Sequence, residues 1–275
     1  MSRSGRPAGR RGGEGVTGVL APGGLRPLVE VEDLIVSYGA VRAVDGVTLS
    51  VAPGEVLGIV GPNGAGKSSL LAAVGGQLRP TSGRISLDGA DVTRLPPHRR
   101  ARRGVVRTFQ DTSEFGRLTV FENLLVAGLG MHGASLFAAT IGARAQARRT
   151  AAAAAKAAEL IAHFELEPLR DAYAMELSGG QRRLIEVMRG LMREPKLMLL
   201  DEPTVGVAPH LSEQLRREYR RIAASGVAVL MIEHVLEVVE EVCDRVIVMD
   251  NGSVIAEGTF DEVMQSRAVH EAYLG

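Results

Sequence analysis

From Leu28 onward the chain alternates short apolar runs with longer amphipathic stretches, and before that point no such pattern exists. "LVEVEDLIVSYG" alternates apolar and polar side chains, which predicts an edge strand with one buried face. "VTLSVAPGEVLGIVG" predicts two strands joined by a turn at Pro53–Gly54. A helix is predicted from about Lys67 to Leu78, followed by a short strand in "GRISLDG". "PPHRRARRG" predicts a basic turn and helix with a solvated face, "VVRTFQ" a short strand, and "TVFENLLVAG" a helix. The segment 130–176 differs: its alanine-rich "ARAQARRTAAAAAKAAELIAHF" is a strong helix former with few strand signals around it. Beyond it, apolar strands ("KLMLLDE", "VAVLMIEH", "RVIVMD") alternate with amphipathic helices ("GQRRLIEVMRGLM", "HLSEQLRREYRRIAA", "VLEVVEEVC"). That alternation predicts a parallel sheet covered by helices on both faces.

Composition narrows the class without choosing a function. At 275 residues, 45% hydrophobic and 23% charged, the chain has an ordinary globular make-up with enough apolar surface for a large core. Basic and acidic residues balance at 32 each, so net charge points to no nucleic-acid partner. Aromatics are scarce (4%, no Trp), which argues against a stacking platform for single strands. No stretch is long and apolar enough to span a bilayer. Residues 1–27, basic and glycine-rich without an apolar core, are expected to form a disordered tail. The lone cysteine, Cys243, excludes an internal disulfide and is expected to be a buried helical residue.

The chemistry concentrates in a few short stretches. "GPNGAGKSS" (Gly61, Pro62, Asn63, Gly64, Ala65, Gly66, Lys67, Ser68, Ser69) fits a phosphate-binding loop between an apolar strand and a helix. Its glycines let backbone N–H groups face a phosphate, with the helix N-terminus adding partial positive charge. Lys67 would contact the β/γ oxygens and the Ser68 hydroxyl would ligate Mg²⁺. "LMLLDEP" places Asp201 and Glu202 at the end of an apolar strand, a costly position for two carboxylates unless a cation or a reaction uses them. Asp201 is expected to hold Mg²⁺ through water and Glu202 to polarise the water that attacks the γ-phosphate. Gln110 ends one predicted strand and His234 another, both at the sheet edge where parallel sheets place ligands. Tyr38 precedes the loop and can stack on a base. The other histidines show no metal-ligand spacing.

A second glycine-rich stretch, "LSGGQ" at Leu177–Gln181, follows the phosphate loop by more than a hundred residues. Tyr38, "GPNGAGKSS", Gln110, "LSGGQ", "LMLLDE" and His234, in this order, resemble the nucleotide-binding subunit of an ATP-binding-cassette transporter from about residue 28 to the end. The resemblance implies an α/β fold: a P-loop NTPase core with a mostly parallel sheet, an N-terminal antiparallel β-subdomain, and an α-helical subdomain at about 111–193. It also implies ATP and Mg²⁺ as cofactors. Two such subunits dock head to tail, so Ser178, Gly179, Gly180 and Gln181 would close over the triphosphate held by the other subunit's loop. Transmembrane permease subunits and an extracytoplasmic substrate-binding protein are the further implied partners, with no nucleic acid, and the chain is expected at the cytoplasmic face of the membrane.

The finer resemblance, carried by "RTFQ", "IEHV", "CDRVIVMDNGSVIAEG" and the closing "AYLG", is to the ATPases of branched-chain amino-acid importers and their urea and amide relatives. Two departures stand out: Ala208 occupies a position where the wider superfamily usually has Asp, and the signature lacks the aromatic common in this subgroup. A lipid or lipopolysaccharide exporter, or a soluble cassette ATPase, is the alternative class. The resemblance also makes the stretch after Gln110 a docking groove for the membrane subunit, with Phe115 its anchor while Leu118 and Phe121 pack inward.

Overall fold

The computed structural model describes residues 26–108, 116–130 and 143–274. Nearly all of the expected tail, together with Gln110 and Phe115, lies outside these residues.

Two sheets organise the chain. The first is antiparallel, built from β1 (Val29–Tyr38), β2 (Val41–Val51), β4 (Ser82–Leu87) and β5 (Ala90–Asp91), in the order β2-β1-β4-β5. β1 therefore pairs on both sides and is not an edge strand. Its alternation reports one buried face, which any strand of a half-covered antiparallel sheet shares. The second sheet runs β10 (Ser253–Gly258), β9 (Arg245–Asp250), β3 (Val56–Val60), β8 (Ala228–Ile232), β7 (Leu197–Asp201), β6 (Val105–Arg107). β9 through β6 are parallel, and only β10 turns back. β3 and β8 are buried along their whole length, which explains their unbroken apolar sequences. The turn at Pro53–Gly54 passes the chain from the first sheet into the second.

Helices close both faces. α1 (Lys67–Gly75) packs between the sheets in one apolar cluster with Val36, Leu49 and Ile85. It stops three residues before the expected Leu78, because Gly76 takes a left-handed conformation (φ 81°) and returns its N–H to the Ala72 and Ala73 carbonyls. The other face carries α3 (Val120–Leu129), α4 (Ala143–His163), α5 (Gly179–Leu191) and α6 (Pro209–Ala224). Leu124, Ile161, Phe164 and Leu184 share a core there with Met198 and Leu200 of β7. Phe121 packs against this core, with the Arg170 guanidinium 4.4 Å above its ring. α7 (Leu236–Val242), α8 (Phe260–Met264) and α9 (Arg267–Leu274) complete the far edge.

Two local readings change, and one hairpin is added. The basic helix α2 (Pro97–Ala101) does not present all its arginines to water. Arg100 is buried and donates to the carbonyls of Ala73, Val74, Thr93 and Leu95, so it fastens α2 to the end of α1. Burial pulls its guanidinium down to about 10. Cys243 caps the end of α7 instead of lying within it, and burial pushes its thiol up to about 12. β10 follows β9 through a tight Asn251–Gly252 turn, both residues at positive φ (45° and 84°), a hairpin signature of the "NG" pair.

Candidate active site

The carboxyl end of the parallel sheet gathers the reactive groups. β3 leads into the loop Gly61–Gly66, and α1 starts directly at Lys67. Gly66 opens α1 with φ 97° and no side-chain cap, so the first-turn N–H groups are left for a ligand. A Cβ on Gly66 would overlap the Ala43 carbonyl oxygen, and one on Gly61 the Met249 carbonyl oxygen. The loop is thus wedged between β2 and the end of β9, at a distance only glycine permits. The turn of Tyr38, exposed at the end of β1, leads into the same stretch of β2. Burial raises the pKa of the Tyr273 hydroxyl of α9, and the nearby Gly61 backbone acts in the opposite direction.

Lys67 is buried, and its ammonium donates to the carbonyls of Gly61 (2.7 Å) and Pro62 (2.8 Å). Burial lowers its pKa, while Glu202 and Asp201 act in the opposite direction through their charge. Both carboxylates therefore stand close enough to the loop lysine to be felt by it. Asp201, the last residue of β7, accepts from the Arg107 guanidinium at 2.8 Å. Arg107 ends β6 beside it, so that strand stops three residues before Gln110.

Glu202 stands directly after β7 in a left-handed conformation (φ 48°), an unfavourable choice for a residue with a side chain. Its N–H donates to Ile232 O at 3.0 Å and its carbonyl accepts from Arg183 at 3.4 Å. The backbone is held from β8 on one side and from α5 on the other. His234, two residues past the end of β8, places its Nε2 2.9 Å from Glu202 Oε1, with the two side chains 34% and 31% exposed. A carboxylate and an imidazole in contact, half open to water and facing a phosphate loop, can orient and polarise a water molecule.

Mg²⁺ fits the donors present. Ser68 offers a hydroxyl, and Asp201 and Glu202 carboxylates lie nearby, all hard oxygen ligands. Among the described residues no group of three His, Cys, Asp or Glu could cage a metal alone.

The signature stretch is elsewhere. Ser178 opens α5 with a full capping box: its hydroxyl accepts from the Gln181 N–H at 3.2 Å, and its own N–H donates to Gln181 Oε1 at 2.9 Å. The Gln181 side chain, expected at a nucleotide, is occupied at its oxygen by this cap. Gly180 packs against Leu211 and Val207, whereas nothing lies within 4 Å of a Cβ placed on Gly179. Among the described residues no hydrogen bond links residues 178–181 to the phosphate loop. Arg107, Arg183 and Thr204 were not singled out by sequence. The "R" of "RTFQ" on a strand beside "LLDE" was the available signal for the first.

This geometry defines a P-loop nucleoside triphosphatase with a second glycine turn that, among the described residues, shares no hydrogen bond with the phosphate loop. Residues 44–205 match the ABC transporter family model, and residues 253–275 match that of the branched-chain amino acid ATP-binding cassette transporter. The chain is 36% identical over 248 residues to the probable branched-chain amino acid transport ATP-binding protein LivG of Archaeoglobus fulgidus, covering 90% of this chain and 95% of that one. It is also 36% identical over 244 residues to the lipopolysaccharide export system ATP-binding protein LptB of Escherichia coli K12 (89% and 95% covered). A solved nucleotide-free ATP-binding cassette from an ABC transporter superposes with a TM-score of 0.79 at 34% identity, over 91% of this chain and all of that one (100%). The chain belongs to the ABC transporter family, and within it is an ATP-hydrolysing subunit coupled to transport.

Proposed function

We propose that this chain drives an importer of branched-chain amino acids or related small amides such as urea, as one of two ATPase subunits bound to permease subunits at the cytoplasmic face of the membrane. The match at residues 253–275 supports that substrate class over others. An extracytoplasmic substrate-binding protein would deliver the cargo. The equal identity to a lipopolysaccharide exporter's ATPase favours export as the second reading. Mass spectrometry of the membrane proteins that co-purify with the chain separates them: importer permeases support the first, lipid-export membrane subunits the second.

The ATPase mechanism follows from the residues. ATP enters with its adenine on Tyr38 and its phosphates on the 61–69 loop, where Lys67 exchanges the carbonyls of Gly61 and Pro62 for phosphate oxygens. Mg²⁺, held by Ser68, Asp201 and Gln110, would neutralise phosphate charge. Glu202 and His234 align a water with the γ-phosphate, Glu202 accepting its proton as the new P–O bond forms and the bond to ADP breaks. Ser178, Gly179, Gly180 and Gln181 of a second subunit complete the charge-stabilising shell, a reading supported by the absence of a hydrogen bond between them and their own loop among the described residues. The contact between Glu202 and His234 carries the assignment. Glu202→Gln keeps size and hydrogen bonding but loses the base, so hydrolysis should fall by ~10²–10⁴-fold while ATP binding survives. Undiminished turnover in the purified transporter would remove Glu202 from this role.

A further inference from the structure

Glu233 is fully buried, between Ile232 at the end of β8 and His234, and the hydrolysis steps above do not use it. A carboxylate in that position must find donors, and four reach it. One oxygen, Oε1, accepts from the Thr204 N–H at 3.1 Å and from the Thr204 hydroxyl. The other, Oε2, accepts from the backbone N–H groups of His234 (2.9 Å) and Val235 (3.4 Å). All four donors are neutral, and no salt bridge among the described residues reaches the group. Two of the donors sit on the loop that runs from Glu202 through Gly206 to Ala208 at the start of α6, and two on the segment that carries His234. Glu233 is therefore a buried link between those segments. Both also flank Glu202, whose own N–H is bonded to Ile232 O.

We propose that Glu233 is a positioning residue: it holds the Thr204 loop and the His234 segment as one unit, and so sets the place of His234 against Glu202. The Thr204–Glu233 contact is a connection by which movement of the loop between Glu202 and α6 reaches His234. The proposal rests on the reading that His234 and Glu202 act together on the attacking water.

Glu233→Gln tests it with little change of volume. If the amide oxygen stays with Thr204, the NH₂ faces the His234 and Val235 N–H groups; if it turns, the NH₂ faces the Thr204 N–H. Either orientation sets donor against donor and parts the two segments. A shift of His234 by about 1 Å predicts a fall in kcat on the order of 10²-fold, with the affinity for a fluorescent ATP analogue unchanged. Thr204→Val removes one donor while keeping the shape, and should lower kcat in the same sense but by less. In a His234→Ala background, Glu233→Gln should cause no further loss, because the group it positions is gone. Turnover by His234→Ala equal to wild type would instead refute the His234–Glu202 reading itself. If His234→Ala is impaired but Glu233→Gln, still folded by its melting curve, turns over normally or loses the same factor in both backgrounds, the positioning role is wrong. Should Glu233→Gln not fold, Thr204→Val in the two backgrounds decides by the same criteria.

Discussion

Gly66 opens α1 with no side chain capping it, whereas Ser178 opens α5 with a capping box closed by Gln181. The two turns look alike as strings of glycine before a helix, yet they are built for opposite conditions. The first is wedged against β2 and β9 by two glycines that admit no Cβ, and a buried lysine fills it. Its donors are held in place before any ligand arrives. The second satisfies its own helix end, and the face at Gly179 is open. A site that must grip phosphate by itself is prebuilt, whereas a surface that meets another subunit is stable alone and complete only on docking.

The sharpest break of this contrast is the same change made in both turns. Gly66→Ala places a methyl against the Ala43 carbonyl at a φ of 97°, so the loop must move or strain. Strain of roughly 3 kcal/mol carried by the bound state corresponds to about 10²-fold in affinity, and titration with a fluorescent ATP analogue should register a loss at least that large. Gly179→Ala meets nothing within 4 Å in the chain itself. ATP affinity and melting temperature should hold, while turnover of the assembled transporter falls on the order of tenfold as the methyl enters the shared site. Unimpaired turnover would mean that the open face is not a docking face. A weakened affinity in the separate chain would mean that the second turn belongs to the chain's own site.

Mixing tests the same division at smaller amplitude. Lys67→Ala disables a loop and Ser178→Asp a signature, so a mixed dimer gathers both lesions in one site and leaves the other whole. At equal amounts half the dimers are mixed and half their sites intact, so about a quarter of normal turnover should return if the sites fire independently. No recovery from verified mixed dimers would show that each chain completes its own site or that both sites must fire together.

The phosphate loop was legible in sequence for a physical reason: phosphate recognition needs consecutive backbone N–H groups and a helix start, so its residues must be adjacent. The second turn was legible only as part of a family resemblance. The parallel core was legible because strands buried on both faces are apolar throughout, as β3 and β8 are. Partners brought together only by the fold were not. Arg107 reaches Asp201 across 94 residues and Glu233 reaches Thr204 across 29, and no local pattern announces either pair. Alternation in β1 told which side chains are buried but not how many neighbours the strand has. Arg100 looked like its solvated neighbours because burial by four carbonyls leaves no mark on a basic run.

The smallest effect concerns Ser178, which caps α5 and, in the proposed function, also meets a partner's triphosphate, two duties that a single substitution confuses. As N-cap it accepts from the Gln181 N–H and returns a donor to the Gln181 side chain, so Ser178→Ala should cost about 1 kcal/mol of stability. On the proposed function it would also remove a hydroxyl from the shared site, and lost turnover could come from either cause. Ser178→Asp separates them. Aspartate is as good a cap as serine, and its charge suits the N-terminus of α5. The fold should therefore melt at or above the wild-type temperature. The same charge, carried into a triphosphate on the facing subunit, repels it, and turnover should drop further than in Ser178→Ala despite the firmer helix. Stability and activity then move in opposite directions across the two variants. If they move together, with Ser178→Asp both stable and active, Ser178 serves only its own helix and the signature turn touches phosphate through other atoms.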